Sequence, residues 1–317
     1  MPQVETLRGP IDTSRLGFTL MHEHVFVLSE GVNESFPSLW QEDEKIASAR
    51  KQLGEMVDAG VQTIVDLTVL GLGRNIPRLQ RVVGDIPLNV VVATGLYTYD
   101  ELPRHFQMRD ENYLADLFVR DITEGIQGTK VKAAILKCAT DEPGVTPGVE
   151  KVLRAVARAH RRTGAPISTH THPATKRGLE QQKIFEEEGV DLSRAVIGHS
   201  GDSEDIDYLQ QLLKRGSYIG MDRFGIDIYL PTEKRVAVIA KLCELGYAER
   251  MVLSHDASCY IDWFPMDAVR ATVPNWHFRH ISQDVLPALR AAGVGEEQIA
   301  LMTAGNPRRI FERQGPY

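Results

Sequence analysis

Gly17-Phe18-Thr19-Leu20-Met21-His22-Glu23-His24 is a strand-like run that stops on two histidines with one glutamate between them. Side chains alternate faces along a strand, so His22 and His24 point one way and Glu23 the other. Two neutral imidazoles on one face of a strand end suit a divalent transition metal. An H-x-H pair alone is a weak signal, because two polar residues commonly end a strand. Its weight comes from what ends the other apolar runs of the chain.

Those runs, counting this one, span 18–25, 61–67, 88–94, 131–136, 166–169, 195–198, 217–221 and 251–254. They are nearly continuous in apolar residues, as strands buried on both faces should be. Helical spacing fills the intervals at 42–59, 149–163, 203–215 and 233–245, with Gly60, Gly164 and Gly216 at the stops. Ser203 is expected to cap the third of these. Asn306-Pro307 is expected to open a late helix as cap and first residue. Residues 77–83 fit a short helix. Eight strands alternating with helices predict an α/β protein with a (β/α)₈ barrel, formed by a single domain over 1–317. A doubly wound sheet is the rival. No glycine-rich G-x-G-x-x-G turn or P-loop opens a helix here, which lowers it. Residues 1–17 precede the first strand and predict a small hairpin around 10–17. The stretch 259–280 is long for a loop and holds Trp263, Phe264, Trp276 and Phe278. It reads as a lid or substrate wall.

Chemistry-bearing residues end many of these strands. The first ends in His22 and His24, the fourth in Lys137, the fifth in His170, the sixth in His199 and the eighth in His255-Asp256. In a (β/α)₈ barrel these ends converge on one mouth, where active sites sit. His105, His160, His277 and His280 fall on helices or loops instead. Composition points the same way by exclusion. The 317 residues carry a net charge of -7 with both signs interspersed, which argues against nucleic acid or an anionic membrane as partner. Three scattered cysteines make no disulfide framework. No basic-then-apolar leader and no membrane-length apolar run is visible. The expectation is a soluble, cytoplasmic protein.

With Lys137, Thr169-His170, Gly198-His199 and Ser254-His255-Asp256 following in order, the opening run resembles the phosphotriesterase family of the amidohydrolase superfamily. The likeness covers essentially the whole chain. It implies a binuclear centre of two divalent transition ions, with zinc favoured and cobalt, manganese or iron as alternatives. His22, His24 and Asp256 would hold the more buried ion, and His170 and His199 the more exposed one. Lys137, as a carbamate formed with CO₂, would bridge them together with a hydroxide. A lysine cation cannot ligate, but burial would lower its pKa and free the amine to react. Without the family, Lys137 reads equally well as a strand-end lysine reaching solvent.

The same resemblance implies how the parts would work. The bridging hydroxide would attack the substrate carbonyl or phosphoryl centre, and Asp256 would accept its proton. The segments Gly95-Leu96-Tyr97 and Asp222-Arg223-Phe224-Gly225 resemble the lactonase branch, closest to enzymes that hydrolyse N-acyl homoserine lactones, the quorum-quenching activity. Tyr97 would meet the lactone oxygen, Arg223 would orient the head group or the loops, and Trp263 is the best candidate for the wall of an acyl channel. Cys259, Tyr260, Ile261 and Phe264 are further candidates for that wall. A weaker activity on phosphotriesters such as paraoxon is implied, as is a homodimer. Alternatives are a phosphotriesterase proper, an amidohydrolase acting on ring amides, and a non-catalytic metal-bearing scaffold. His172, His255 and Glu23 are read as supporting residues rather than ligands, and Cys138 as a small apolar residue of the barrel wall.

Overall fold

Strands and helices alternate through this computed structural model, which describes residues 1–312 and 315–317. After a short hairpin, β1 (Gln3–Thr6) with β2 (Gly9–Asp12), come eight parallel strands: β3 (Thr19–Val27), β4 (Thr63–Asp66), β5 (Asn89–Gly95), β6 (Ile135–Thr140), β7 (Ile167–Thr171), β8 (Ala195–Ile197), β9 (Tyr218–Met221) and β10 (Met251–Leu253). Each pairs with the next in chain order. They are buried along almost their whole length, as their unbroken Val, Ile, Leu and Ala runs require. The ring closes between β10 and β3 through the residues that follow β10. His22 N donates to Ser254 Oγ at 2.9 Å, Asp256 N to His22 O at 3.0 Å, and His24 N to Ala257 O at 2.9 Å. The architecture is the expected (β/α)₈ barrel.

The helices stop where their end residues dictate. Helix Glu42–Asp58 buries Ile46, Ala49, Leu53 and Met56, and the chain turns at Gly60 with φ +95°. Helix Pro147–Thr163 begins with Thr146 accepting from Val149 N and ends on left-handed Gly164. No helix among the described residues is long and apolar enough to cross a membrane.

Several expectations shift. The hairpin occupies 3–12 rather than 10–17, because the turn falls where Gly9 supplies φ +101° and Arg8 donates to the carbonyls of Gly84, Ile86 and Leu88. The third helix starts at Ile206, not Ser203, since the Asp205 carboxylate accepts from Tyr208 N. Asn306 is not a cap but sits in continuous helix, and its amide donates to Ala248 O and Met251 O. Residues 131–134 lead into β6 instead of belonging to it, so Lys137 lies inside a strand rather than at its end. Part of 259–280 is also strand: β11 (Ser258–Ile261) pairs parallel with β3 at the mouth. The remainder forms helix Met266–Thr272 and then a return in which Trp276 Nε1 donates to His255 O and Asp256 O.

Candidate metal centre

Five strands and their ends deliver one cluster. His22 and His24 come from β3, Lys137 from β6, His170 from β7, His199 from just beyond β8, and Asp256 from just beyond β10. His22 Nε2 lies 2.7 Å from Lys137 Nζ and 3.5 Å from Asp256 Oδ1. His24 Nε2 is 3.2 Å from the same oxygen. His199 Nε2 is 3.0 Å from His170 Nδ1 and 3.7 Å from Asp256 Oδ2. His22, His199 and Asp256 present ligand atoms all within 4.8 Å of one another. Every residue named as a metal ligand from the sequence therefore reaches the same spot.

Backbone bends contribute to this convergence. His199 (φ +58°) and Asp256 (φ +54°) are both left-handed, a conformation that costs an L-residue about 1–2 kcal/mol. Glycine is needed where strands crowd behind the centre. A Cβ on Gly95 would sit 1.9 Å from Lys137 O, and one on Gly220 would sit 2.1 Å from the Asp222 carboxylate.

That carboxylate decides the tautomers. Asp222 Oδ2 is 3.0 Å from His22 Nδ1, and Oδ1 is 3.0 Å from His199 Nδ1 while also accepting from His199 N. An ionised carboxylate only accepts, so both rings carry their proton on Nδ1 and turn a bare Nε2 to the centre. His170 is reversed. Asp141 Oδ2 holds its Nε2 at 2.7 Å, leaving Nδ1 as the lone pair. His170 Nδ1 and His199 Nε2 thus face each other at 3.0 Å as two lone pairs, a repulsive arrangement unless a cation shares them. His24 is held in turn by Thr68 Oγ1, 2.8 Å from its Nδ1. The donor set fits divalent metal on this chemistry.

Electrostatics agrees. Burial holds His22 and His199 below the ordinary histidine range and His170 down to about 4, so the rings are neutral, as ligation requires. Burial also brings Lys137 down to about 8, and the side chain is 1 % exposed with no carboxylate at ion-pair distance among the described residues. Burial alone would raise Asp256, but with its ring neighbours neutral the charged Arg223 guanidinium, donating to it at 3.1 Å, still acts to hold it well below the usual carboxylate range.

The centre opens into a cavity of about 600 Å³ walled by Ile226, Ile228, Tyr229, Ile261, Trp263 and Phe264, among others. Tyr97 OH lies 3.3 Å from His170 Nδ1 and contacts Tyr99 OH. Burial raises the Tyr97 phenol well above its ordinary range, so it remains a donor. Arg223 Nε donates to Asp256 Oδ2 at 3.1 Å. The Trp263 ring, 6.2 Å from that of Tyr97, lines the cavity. Cys259 and Tyr260 do not. Along β11 they turn outward, Cys259 Sγ toward Ala49 O and Tyr260 against Trp40 and Lys45.

The supporting residues behave as expected. Glu23 faces away from the cluster, and its carboxylate accepts from Ser254 Oγ, His255 N, His255 Nδ1 and Ala257 N, tying β3 to the turn that carries Asp256. His172 pairs with Thr175 outside the centre, and Cys138 is buried in the wall. Sequence reading missed Asp141, Thr68, Tyr99 and Asp202, and left Asp222 without a role. A signal existed: Asp141 and Asp222 each follow the last residue of a strand, where an acceptor can reach the second nitrogen of a neighbouring ligand.

A model of the "Phosphotriesterase family" matches residues 2–311. The chain is 58% identical to the "Phosphotriesterase homology protein" of Mycobacterium tuberculosis over 100% of both chains. It is 44% identical to the "Aryldialkylphosphatase" of Saccharolobus solfataricus over 96% of this chain and 98% of that one. The solved structure of the phosphotriesterase from Mycobacterium tuberculosis superposes with TM-score 0.98 at 58% identity, covering 100% of each chain.

Proposed function

This chain belongs to the phosphotriesterase family of metal-dependent hydrolases, and on that premise we propose that it hydrolyses lactones, N-acyl homoserine lactones foremost, with weaker action on phosphotriesters such as paraoxon. The observation that carries this reading is the Tyr97 hydroxyl, held beside His170 at the floor of a cavity whose walls are largely apolar. A lactone head group needs a donor for its ester oxygen, and an acyl chain needs an apolar channel. His22, His24, Lys137, His170, His199 and Asp256 would hold two divalent ions, zinc first among the candidates. Lys137 would serve as a carbamate: the neutral amine adds CO₂ and loses a proton, becoming an anion with two oxygens. Bound ions of this kind lower the pKa of water and polarise a carbonyl oxygen.

The chain's own residues do the rest. Water adds to the carbonyl carbon, and Asp256 takes its proton. As the ring carbon–oxygen bond breaks, Asp256 returns that proton to the leaving oxygen. Tyr97 donates to the oxygen that gains charge, and Arg223 keeps the Asp256 carboxylate turned to the cluster. Trp263 and the other apolar walls exclude water from the acyl side. The chain would act as a homodimer, which sedimentation at micromolar concentration would test. A phosphotriesterase reading stays in play because a relative at 44% identity is named aryldialkylphosphatase.

Tyr97→Phe separates the two. Losing one such donor costs about 10²–10³ in rate when it meets developing charge, and about tenfold is expected here because bound metal would share that charge. kcat/KM for an acyl homoserine lactone should fall, while that for paraoxon holds or rises. Equal losses on both substrates would reduce Tyr97 to a wall residue and remove the local support for a lactonase.

A further inference from the structure

Arg235 is among the largest side chains buried below 2 % exposure, and it touches neither the cavity nor any metal ligand. It stands in the first turn of helix Thr232–Glu244. Its guanidinium donates to Leu230 O at 2.8 Å, Gly201 O at 2.8 Å and Asp202 Oδ1 at 2.6 Å, with Ile226 O at 3.4 Å. Those partners belong to two different loops: Gly201 and Asp202 follow β8, while Ile226 and Leu230 follow β9. Asp202 is itself shared. Its other oxygen, Oδ2, accepts from Arg223 Nη1 at 3.1 Å, and Arg223 Nε in turn donates to Asp256 Oδ2 at 3.1 Å. Four charges therefore alternate in one line, Arg235, Asp202, Arg223 and Asp256.

We propose that Arg235 and Asp202 are positioning residues for the reaction, acting through Arg223 on the orientation of the Asp256 carboxylate. The proposal rests on the reading of Asp256 as ligand and proton acceptor. An arginine side chain does not deprotonate in a protein, so this line cannot carry a proton away from Asp256. It can only hold. One rigid guanidinium, that of Arg223, donates to both carboxylates, and Arg235 fixes Asp202 beside the Gly201 backbone, so the position of Asp256 is set two residues away from the cluster. The same arginine anchors Ile226 and Leu230, the loop that also carries Ile228 and Tyr229 into the cavity wall. The Tyr229 ring lies 5.1 Å from the Arg223 guanidinium carbon. Loop shape and carboxylate angle are thereby set by one buried group.

A double-mutant cycle tests this, read on whichever ester the wild type hydrolyses, so that absence of lactone turnover sinks the functional reading and leaves this one open to judgement. Arg235→Met should lower kcat about tenfold with KM within about twofold and metal content equal to wild type. In an Arg223→Met background the same change should lower kcat less than about twofold, because its route to Asp256 is already cut, while any shift in KM that reaches the cavity wall through Ile226 and Leu230 persists. Asp202→Asn, which keeps the shape, should show the same non-additivity and decides the matter if Arg235→Met does not fold. A crystal structure of Asp202→Asn should show the Arg223 Nε to Asp256 Oδ2 contact broken or rotated. Losses that multiply in the double variant, or an Arg223–Asp256 contact unchanged from wild type, would overturn the proposal.

Discussion

A lysine 1 % exposed inside a barrel strand, with an imidazole nitrogen 2.7 Å away and no carboxylate within ion-pair distance among the described residues, is poorly served as a cation. Burying an unpaired charge is costly enough that the group gives up its proton instead. With the Lys137 pKa brought down to about 8 by burial, a substantial fraction is already neutral amine near that pH. That is the form CO₂ can add to. Lys137→Ala should lose bound metal and hydrolysis together. Bicarbonate with a short carboxylic acid should restore part of both, and Lys137→Glu should retain more of each than the alanine variant. The checks are elemental analysis and initial rates on the same preparations. Normal metal content in Lys137→Ala would remove the carbamate bridge from the proposal.

Helix Pro147–Thr163 shows how an element far from the cluster sets a pH limit. Its apolar face, Val149, Val152, Leu153 and Val156 among others, packs into the core, and His160 follows at its last turn. His160 Nδ1 donates to Ala165 O at 2.7 Å, and Nε2 accepts from the Tyr317 hydroxyl at 2.6 Å, pinning the chain's last residue. The neutral ring satisfies both nitrogens, and burial, which disfavours the charged form, holds its pKa below the ordinary value. The folded pKa lies below the unfolded value of about 6.5, so the unfolded chain binds the extra proton first. His160 therefore contributes its full stability above about pH 6.5 and loses it as pH falls toward the folded pKa. Melting temperature should drop from about pH 7.5 to about pH 5, and His160→Gln, which cannot protonate, should drop less over that window. The remaining buried histidines titrate alike in both proteins, so the difference isolates this one. Equal slopes would show that His160 does not set the acid limit.

At the scale of the whole molecule, the cluster with metal bound would be a crosslink. Its members come from β3, β6, β7 and the turns after β8 and β10, which lie far apart in sequence around the ring. Ions that bind only the closed barrel stabilise it by mass action, about 4 kcal/mol when free metal is a thousandfold above Kd. Stripping metal with a chelator should abolish hydrolysis and lower the melting temperature by about 5–10 °C, both reversed by adding back a divalent ion. Protein that remains fully active with only trace metal by elemental analysis would sink the metal centre altogether.

The sequence by itself determined the strand–helix alternation, the barrel and the identity of the residues that meet at its mouth. Each of those rests on local information: unbroken apolar runs make two-sided strands, period-2 alternation sends His22 and His24 one way and Glu23 the other, and a parallel ring brings strand ends together. Resemblance to a family supplied the ligand set that spacing alone left open, Lys137 above all. Only the tertiary structure decided what stands behind those residues. Asp222 serves both His22 and His199 because it follows β9, beside the β8 end that carries His199 and one strand removed from β3, which carries His22, and Asp141 reverses His170 because it follows the neighbouring strand. Strand boundaries moved for the same cause. Polar Lys137 and His170 read as strand ends, yet the barrel interior satisfies them and β6 and β7 run on past them. Cys259 and Tyr260 turned away from the cavity because β11 pairs with β3, a register that depends on residues more than two hundred positions away. Those pairings are long-range contacts settled by ring closure, and no local pattern encodes them.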